Sequence, residues 1–295
     1  MSTILEITHL NKSYGHSQVL FDISFNCDKG SIIGLVGENG AGKTTIMKAI
    51  LGLIKKDGEI SANGKRIFFN KNSAIKDAGS LIEQPALYPY LTGLEHLKLF
   101  SRQRNFLNSD VKKIIQAFKM DEFLNKKVKN FSLGMRQKLG IALAFLNQPH
   151  LIILDEPMNG LDSRSTFNLR KLILEKKQQG VTFLVSSHIL SELEKVAERV
   201  VVIEHGKVIK DCSMQEILEQ NPLYLTISTT DNIAASSILK ENGYQILTSE
   251  PLKIVITHQT DIERIIKALT SQGINILDIN KEQGDLEQSI LKILN

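Results

Sequence analysis

The sequence predicts an α/β protein with a mostly parallel sheet covered by helices, followed by a small α+β domain. Three observations carry this expectation. Short apolar runs bounded by glycine or acidic residues, "SIIGLVG" (31–37), "LIILD" (151–155) and "TFLVSS" (182–187), read as strands buried on both faces. Segments of helical periodicity separate them, and alternating β and α elements imply a parallel sheet. Beyond residue 222 the order becomes β-α-β-β-α-β, that of a ferredoxin-like domain.

Taken in order, residues 3–8 and 19–25 alternate as strands ahead of the apolar run at 31–37. "TTIMKAILGLI" follows with helical spacing. A polar, aromatic-bearing middle at 70–130 carries helical patterns at 94–104 and 109–118. "LGIALAFLNQP" is an apolar helix stopped near Pro149, and the helix over 163–179 ends at Gly180, a good C-terminal stop. Ser213 and Glu216 have the spacing of a capping box opening "MQEILEQ", and Asn221-Pro222 marks a break. The boundary is therefore expected between residues 1–220 and 221–295. Beyond it come strands at 223–229, 244–249, 252–257 and 274–279 and helices at 233–241, 261–272 and 286–294.

At 295 residues the chain has room for a large domain and a small one. Its net charge of +4 is no nucleic-acid signature, and "NKKVKN" (125–130) reads as a solvated face, at most an aid at an anionic surface. Cys27 and Cys212 lie far apart with no metal-ligand spacing, as expected of a reduced cytosolic protein. "MSTILEITHL" lacks the features of a signal peptide, and no apolar run is long enough to span a membrane. Any membrane role must come through a partner.

"GENGAGKT" (37–44) satisfies the phosphate-loop pattern G-x-x-x-x-G-K-[ST] between a predicted strand and a predicted helix. Gly37, Asn39, Gly40, Ala41, Gly42, Lys43, Thr44 and Thr45 are thus candidate nucleotide-binding residues. Glycines let backbone N–H groups turn inward around phosphate oxygens, Lys43 reaches the β and γ phosphates, and Thr44 offers a hydroxyl to Mg²⁺. "LIILDEP" (151–157) ends a buried strand with two carboxylates where α/β sheets place ligands: Asp155 to hold Mg²⁺ and Glu156 to polarise the attacking water.

With "NFSLGMRQKLGIALAFLNQP" between these motifs, the chain resembles the nucleotide-binding subunits of ABC transporters over residues 4 to about 215. The resemblance implies a phosphate-loop ATPase of that type, with antiparallel N-terminal strands and a helical arm. It implies ATP and Mg²⁺ as ligands, an ATP-dependent homodimer or heterodimer sandwiching two nucleotides, separate integral membrane permease subunits, a cytoplasmic position on the membrane's inner face, and no nucleic acid. It makes Ser132 and Gly134 the site for the γ-phosphate held by the other subunit. The signature departs from the usual one in Leu133 and Met135. The resemblance further implies that Tyr14 stacks on adenine, that Asp162 in "NGLD" lies in the loop crossing the dimer interface, and that His188 contacts the γ-phosphate.

"GSLIEQPALYPYLTGLEHL" (79–97) places Glu83 and Gln84 before Pro85. A residue before proline favours extended backbone, so neighbouring side chains are expected on opposite faces and only one can face a given ligand. The family commonly has glutamine two residues before this proline, a position that touches Mg²⁺ and the attacking water. Aligning Pro85 puts Glu83 there, with Gln84 the alternative. Glutamate at this point resembles the branch that protects Gram-positive cells from lantibiotics and bacitracin-type peptides, which also carries a C-terminal extension of this size. The alternatives are an exporter ATPase for another hydrophobic cargo and a non-transport ABC ATPase, the latter opposed by a single phosphate loop and little excess positive charge. A module that holds ATP without turnover would lack Lys43 or Glu156, and both are present. "ALYPYLTGLEHL" (86–97) is the expected contact with the membrane partner.

Overall fold

The computed structural model describes residues 2–71, 73–101, 109–219, 223–256 and 260–294. The chain divides into two compact units, Met1–Met214 and Gln215–Asn295.

The first unit opens with a hairpin of β1 (Thr3–Tyr14) and β2 (Ser17–Asp28). Both strands run beyond the alternating stretches of the sequence. His9 (φ 51°) and Asp22 (φ 56°) take left-handed backbone, and the register shifts between Ile7 and Leu10, so the inside-outside pattern breaks while the pairing continues. Then follow β3 (Ile32–Val36), α1 (Lys43–Ile50), β4 (Asp57–Ala62), β5 (Lys65–Arg66) and β6 (Ala78–Leu81). The predicted helix at 94–104 is α2 (Gly93–Phe100), with Thr92 and Glu95 forming a capping box, and residues 102–104 lie outside the described residues. The rest of the unit comprises α3 (Ser109–Ala117), α4 (Leu133–Ala144), β7 (Leu151–Leu154), α5 (Ser163–Gln178), β8 (Thr182–Ser186), α6 (Leu190–Leu193), β9 (Arg199–Glu204) and β10 (Lys207–Ser213).

Two sheets result. An antiparallel one has the order β2-β1-β4-β5, and a second, β10-β9-β3-β8-β7-β6, is parallel except where β10 meets β9. Every residue of β3, β7 and β8 is buried, which is why these segments read as unbroken apolar runs. The two sheets share a core in which Leu5 and Ile7 of β1, Ile33 and Leu35 of β3 and Ile46, Met47 and Ile50 of α1 are all buried. Each such side chain stabilises the unit by about 1.5–3 kcal/mol. Because β3, β8 and β7 are neighbours, the loops after them open side by side at one edge of the sheet. Among the described residues no helix is long and apolar enough to cross a membrane.

The second unit contains α7 (Met214–Glu219), whose first residue closes the first unit, then β11 (Leu223–Thr229), α8 (Asn232–Glu241), β12 (Gln245–Ser249), β13 (Leu252–Ile256), α9 (Thr260–Ser271), β14 (Ile276–Gln283) and α10 (Leu286–Leu294). The expected break at Asn221-Pro222 and the end of the strand predicted over 252–257 fall outside the described residues. The sheet order β12-β13-β11-β14, antiparallel throughout, is the split β-α-β arrangement of a ferredoxin-like unit. Its core joins Leu225, Ile227, Leu252 and Ile254 of the sheet to Leu239 of α8 and Leu269 of α9.

The last strand begins two residues later than the sequence predicts, for a local reason. Gly273 (φ 77°) stops α9, and Ile274 N–H donates back to Leu269 O at 3.1 Å, so buried Ile274 closes the helix rather than opening the strand. Gly79 illustrates a closer constraint on β6: a Cβ there would lie 1.8 Å from the Ala144 carbonyl oxygen at the end of α4. Gly79→Ala is expected to lower stability by about 2 kcal/mol or more, read as a shifted denaturant midpoint at unchanged slope.

Candidate active site

The loop after β3 is shaped by glycines that tolerate no side chain. A Cβ on Gly37 would meet the Ile203 carbonyl oxygen at 2.2 Å, and one on Gly42 (φ 110°) would meet Leu20 Cδ2 at 2.6 Å. Ala41 is buried, and its carbonyl accepts from Gly206 N at 3.1 Å, which fixes the loop to the β9-β10 turn. Lys43, the first residue of α1, is buried and donates to the carbonyls of Gly37 (2.6 Å) and Glu38 (3.0 Å). Burial lowers the pKa of this ammonium, and the charges of Glu156 and Asp155 oppose that shift.

Asp155 sits just after β7, buried and ionically demanding, and its acceptors are matched by donors from neighbouring elements. Thr44 Oγ1 donates to Oδ2 at 2.7 Å, and Ser186 Oγ at the end of β8 donates to Oδ1 at 2.6 Å. Its N–H donates to the Leu81 carbonyl at 2.7 Å, tying the end of β6 to the same point. Glu156 next to it adopts left-handed backbone (φ 49°), with its N–H donating to Ser186 Oγ at 2.8 Å. Glu156 Oε2 accepts from His188 N at 3.1 Å and pairs with His188 Nδ1 at 2.7 Å. An ionised carboxylate has only acceptors, so Nδ1 carries the proton in this contact. Glu156 Oε1 is buried without a hydrogen-bond partner among the described residues.

Glu83 and Gln84 are separated as expected, though not through extended backbone: Glu83 has φ 55°. Its carboxylate pairs with Lys48 Nζ at 2.7 Å, and Lys48 lies one turn after Thr44 on the same face of α1. Gln84 instead lines a cavity of about 620 Å³ with Leu51, Leu53, Pro85, Leu87 and Leu143. Tyr14 stands at the tip of the β1-β2 hairpin, half exposed, with Lys12 Nζ 4.5 Å from its ring centroid. Asn39 is exposed and Thr45 half-buried on the same loop and helix start.

A second cluster is assembled at the start of α4. Exposed Ser132 caps the helix by accepting from Met135 N at 3.2 Å, and a Cβ on Gly134 would lie 2.8 Å from the Gly160 carbonyl oxygen, so helix and "NGLD" loop are in direct contact. Asp162 caps α5 through Ser165 N at 2.8 Å and pairs with Lys138 of α4 at 3.2 Å. The Ser165 backbone N–H above all, with the Ser165 hydroxyl and Lys138, brings its carboxyl down to about 2 from the ordinary 3.8. The folded state gains from this above the ordinary value and loses it as pH falls towards about 2. Buried Gln137 joins the two clusters, donating Nε2–H to the carbonyls of Pro157 (3.0 Å) and Glu156 (3.4 Å).

A glycine loop opening a helix, a hydroxyl hydrogen-bonded to a buried carboxylate, and a second carboxylate with a free oxygen together define a phosphate-loop nucleoside triphosphatase. Residues 20–159 match the ABC transporter family. A bacitracin transport ATP-binding protein of Bacillus licheniformis is 33% identical over 301 residues, covering 100% of this chain and 98% of its own length. A lantibiotic transport ATP-binding protein of Streptococcus pyogenes is 39% identical over 222 residues, 74% of this chain and 95% of its own. The solved structure of an ATP-binding subunit of an ABC transporter superposes with a TM-score of 0.68 at 34% identity, covering 74% of this chain and 93% of that one. The chain belongs to the ABC transporter family, as an ATP-binding and ATP-hydrolysing subunit.

Ser186, Lys48, Gln137 and Lys138 were not read from the sequence. Serine at a strand end and lysine mid-helix carry no local signal; only the packing of β8 on β7 and of the 81–85 segment on α1 gives them partners. Ser186→Ala leaves Asp155 Oδ1 and Glu156 N without this partner and is expected to cost about 1–3 kcal/mol in denaturant unfolding, with reduced ATP turnover. Lys48→Met leaves Glu83 uncompensated and is expected to raise the KM for ATP up to about fivefold, an effect that Glu83→Gln in the same chain removes.

Proposed function

We propose that this chain powers an exporter that removes a lantibiotic- or bacitracin-type peptide, in concert with separate integral membrane permease subunits. The observation that carries the reading is similarity along the whole chain, second unit included, to a bacitracin transport ATP-binding protein. Glu83 beside the Thr44 face of α1 supports it. The chain works at the inner face of the membrane as an ATP-bridged homodimer or heterodimer.

The donor set fits Mg²⁺, since Thr44 and Asp155 place a hydroxyl and a carboxylate together and Glu83 adds a carboxylate on the same side. Bound there, Mg²⁺ supplies charge neutralisation of the phosphates. The backbone of residues 37–45 cradles the phosphates, Lys43 exchanges its two carbonyl contacts for phosphate oxygens, and Tyr14 offers a flat face to adenine. His188 engages one oxygen of Glu156 and so holds the carboxylate whose role is to orient the attacking water. Ser132 and Gly134 at the exposed start of α4 serve the nucleotide of the other subunit, and Asp162 lies beside that interface. Hydrolysis then releases the dimer, so nucleotide affinity and dimer affinity are reciprocally coupled.

The groove lined by Gln84–Leu87, Leu99 and Phe100 is the surface proposed for the permease. Tyr88 stacks on Phe100 at 6.4 Å, and Tyr90 stands 74% exposed, an aromatic surface suited to a helix of the partner. Leu87→Asp is expected to abolish co-purification with the permease while ATP binding remains. Glu156→Gln is expected to retain ATP and lower turnover roughly 10²- to 10⁴-fold, trapping the dimer in size-exclusion chromatography. Lys43→Ala is expected to abolish ATP binding and, in a sensitive Gram-positive host carrying the permease, to remove protection against one peptide of a lantibiotic and bacitracin panel. Wild-type failure across the panel would overturn the peptide reading and leave the ATPase intact.

A further inference from the structure

A second cavity, of about 480 Å³, lies on the antiparallel layer, lined among others by Lys55, Lys56, Arg66, Phe68 and Phe69. It shares one chain segment with the proposed permease groove. Leu51 and Leu53 line that groove, Lys55 and Lys56 line this cavity, and Asn70 N–H donates to Gly52 O at 3.0 Å, holding the Phe68–Phe69 stretch against the same segment.

The lining combines exposed rings with cations. Phe68 is 51% and Phe69 41% exposed, with the Arg66 guanidinium 5.5 Å from the first ring centroid and Lys55 Nζ 5.8 Å from the second. Lys12 also lines the cavity, Asp57 is the carboxylate in its wall, and Glu59 engages Arg66 from β4 at 2.8 Å. Lys56 is held below the usual ammonium range by burial first and then by Arg66, a repulsion that an anion would relieve. Ring and cations also meet elsewhere in this unit: Lys129 N–H donates to Pro89 O at 2.9 Å and Lys127 bridges to Thr92, setting the exposed basic run beside Tyr90.

Phenyl rings flanked by cations match an anionic membrane surface, where apolar rings bury at the headgroup–acyl boundary and the cations meet phosphates. A soluble anion would use the cations and leave the phenyl rings in water.

We propose that the rim formed by Lys55, Lys56, Arg66, Phe68 and Phe69 docks on an anionic lipid headgroup layer beside the permease groove. The proposal rests on the permease reading for orientation alone.

The test is co-sedimentation of the full chain, without permease, with phosphatidylcholine vesicles with and without phosphatidylglycerol. Binding is expected only with phosphatidylglycerol and is expected to weaken with salt. Lys55→Gln and Arg66→Gln should each lower partitioning about fivefold. Phe68→Ser should lower it as well, whereas Lys240→Gln in the second unit should leave it unchanged. Leu87→Asp should bind vesicles normally, so failure of the permease reading leaves this result standing. Equal binding to both vesicle types, an equal loss in Lys240→Gln, or full competition by inorganic pyrophosphate at matched ionic strength would each overturn the proposal. So would absent vesicle binding with Lys55→Gln and Arg66→Gln instead losing the permease, which would assign the rim to a protein partner.

Discussion

Asp155 is the fixed point of the site. A buried carboxylate is tolerated only when its acceptors are met, and here the donors come from α1 through Thr44 and from β8 through Ser186, while its own N–H secures the end of β6. One residue, through its carboxylate and its N–H, therefore ties together the phosphate loop, the strand end carrying Glu156 and the segment leading to Glu83. The same serine that donates to Asp155 accepts from Glu156 N, so the two carboxylates are placed by one hydroxyl.

The second cluster is joined to this centre by Gln137, whose amide reaches the Glu156 and Pro157 carbonyls from within α4. Ser132 caps the start of the same helix and is exposed. Close contact between Gly134 and Gly160, and the Lys138–Asp162 pair, bind the helix to the loop that opens α5. Groups proposed for one nucleotide and groups proposed for the other thus lie on one stiff assembly within each chain, a physical basis for the two sites working together.

Much of the centre was legible because its chemistry is local. The phosphate loop, Asp155 and Glu156 each follow an apolar strand within a few residues, and strand burial on both faces leaves an unmistakable run such as "IIGLV". What escaped depends on distant pairing. Ser186 acquires its role from β7, Lys48 from Glu83, and Gly79 from the passage of α4. The separation of Glu83 from Gln84 was anticipated, but through extended backbone, whereas the chain achieves it with a left-handed residue. Ile274 looked like a strand residue because a helix stop can bury an apolar side chain as fully as a sheet does.

The sheet order has a consequence for how the chain comes to be folded. β3 lies between β8 and β9, pairing Ile33 with Leu184 and with Arg199, so the most apolar early strand has no sheet neighbour until the chain has grown about 150 residues further, and lacks its second until β9 follows. Contacts so remote in sequence close slowly, and an unpaired buried strand is an aggregation hazard while it waits. The β1-β2 hairpin, complete by Asp28 and packed in the same core as Ile33 and Leu35, is the early partner that can shelter one face of β3 during emergence from the ribosome. Truncations ending before β9 should therefore be caught by chaperones rather than accumulate as folded intermediates.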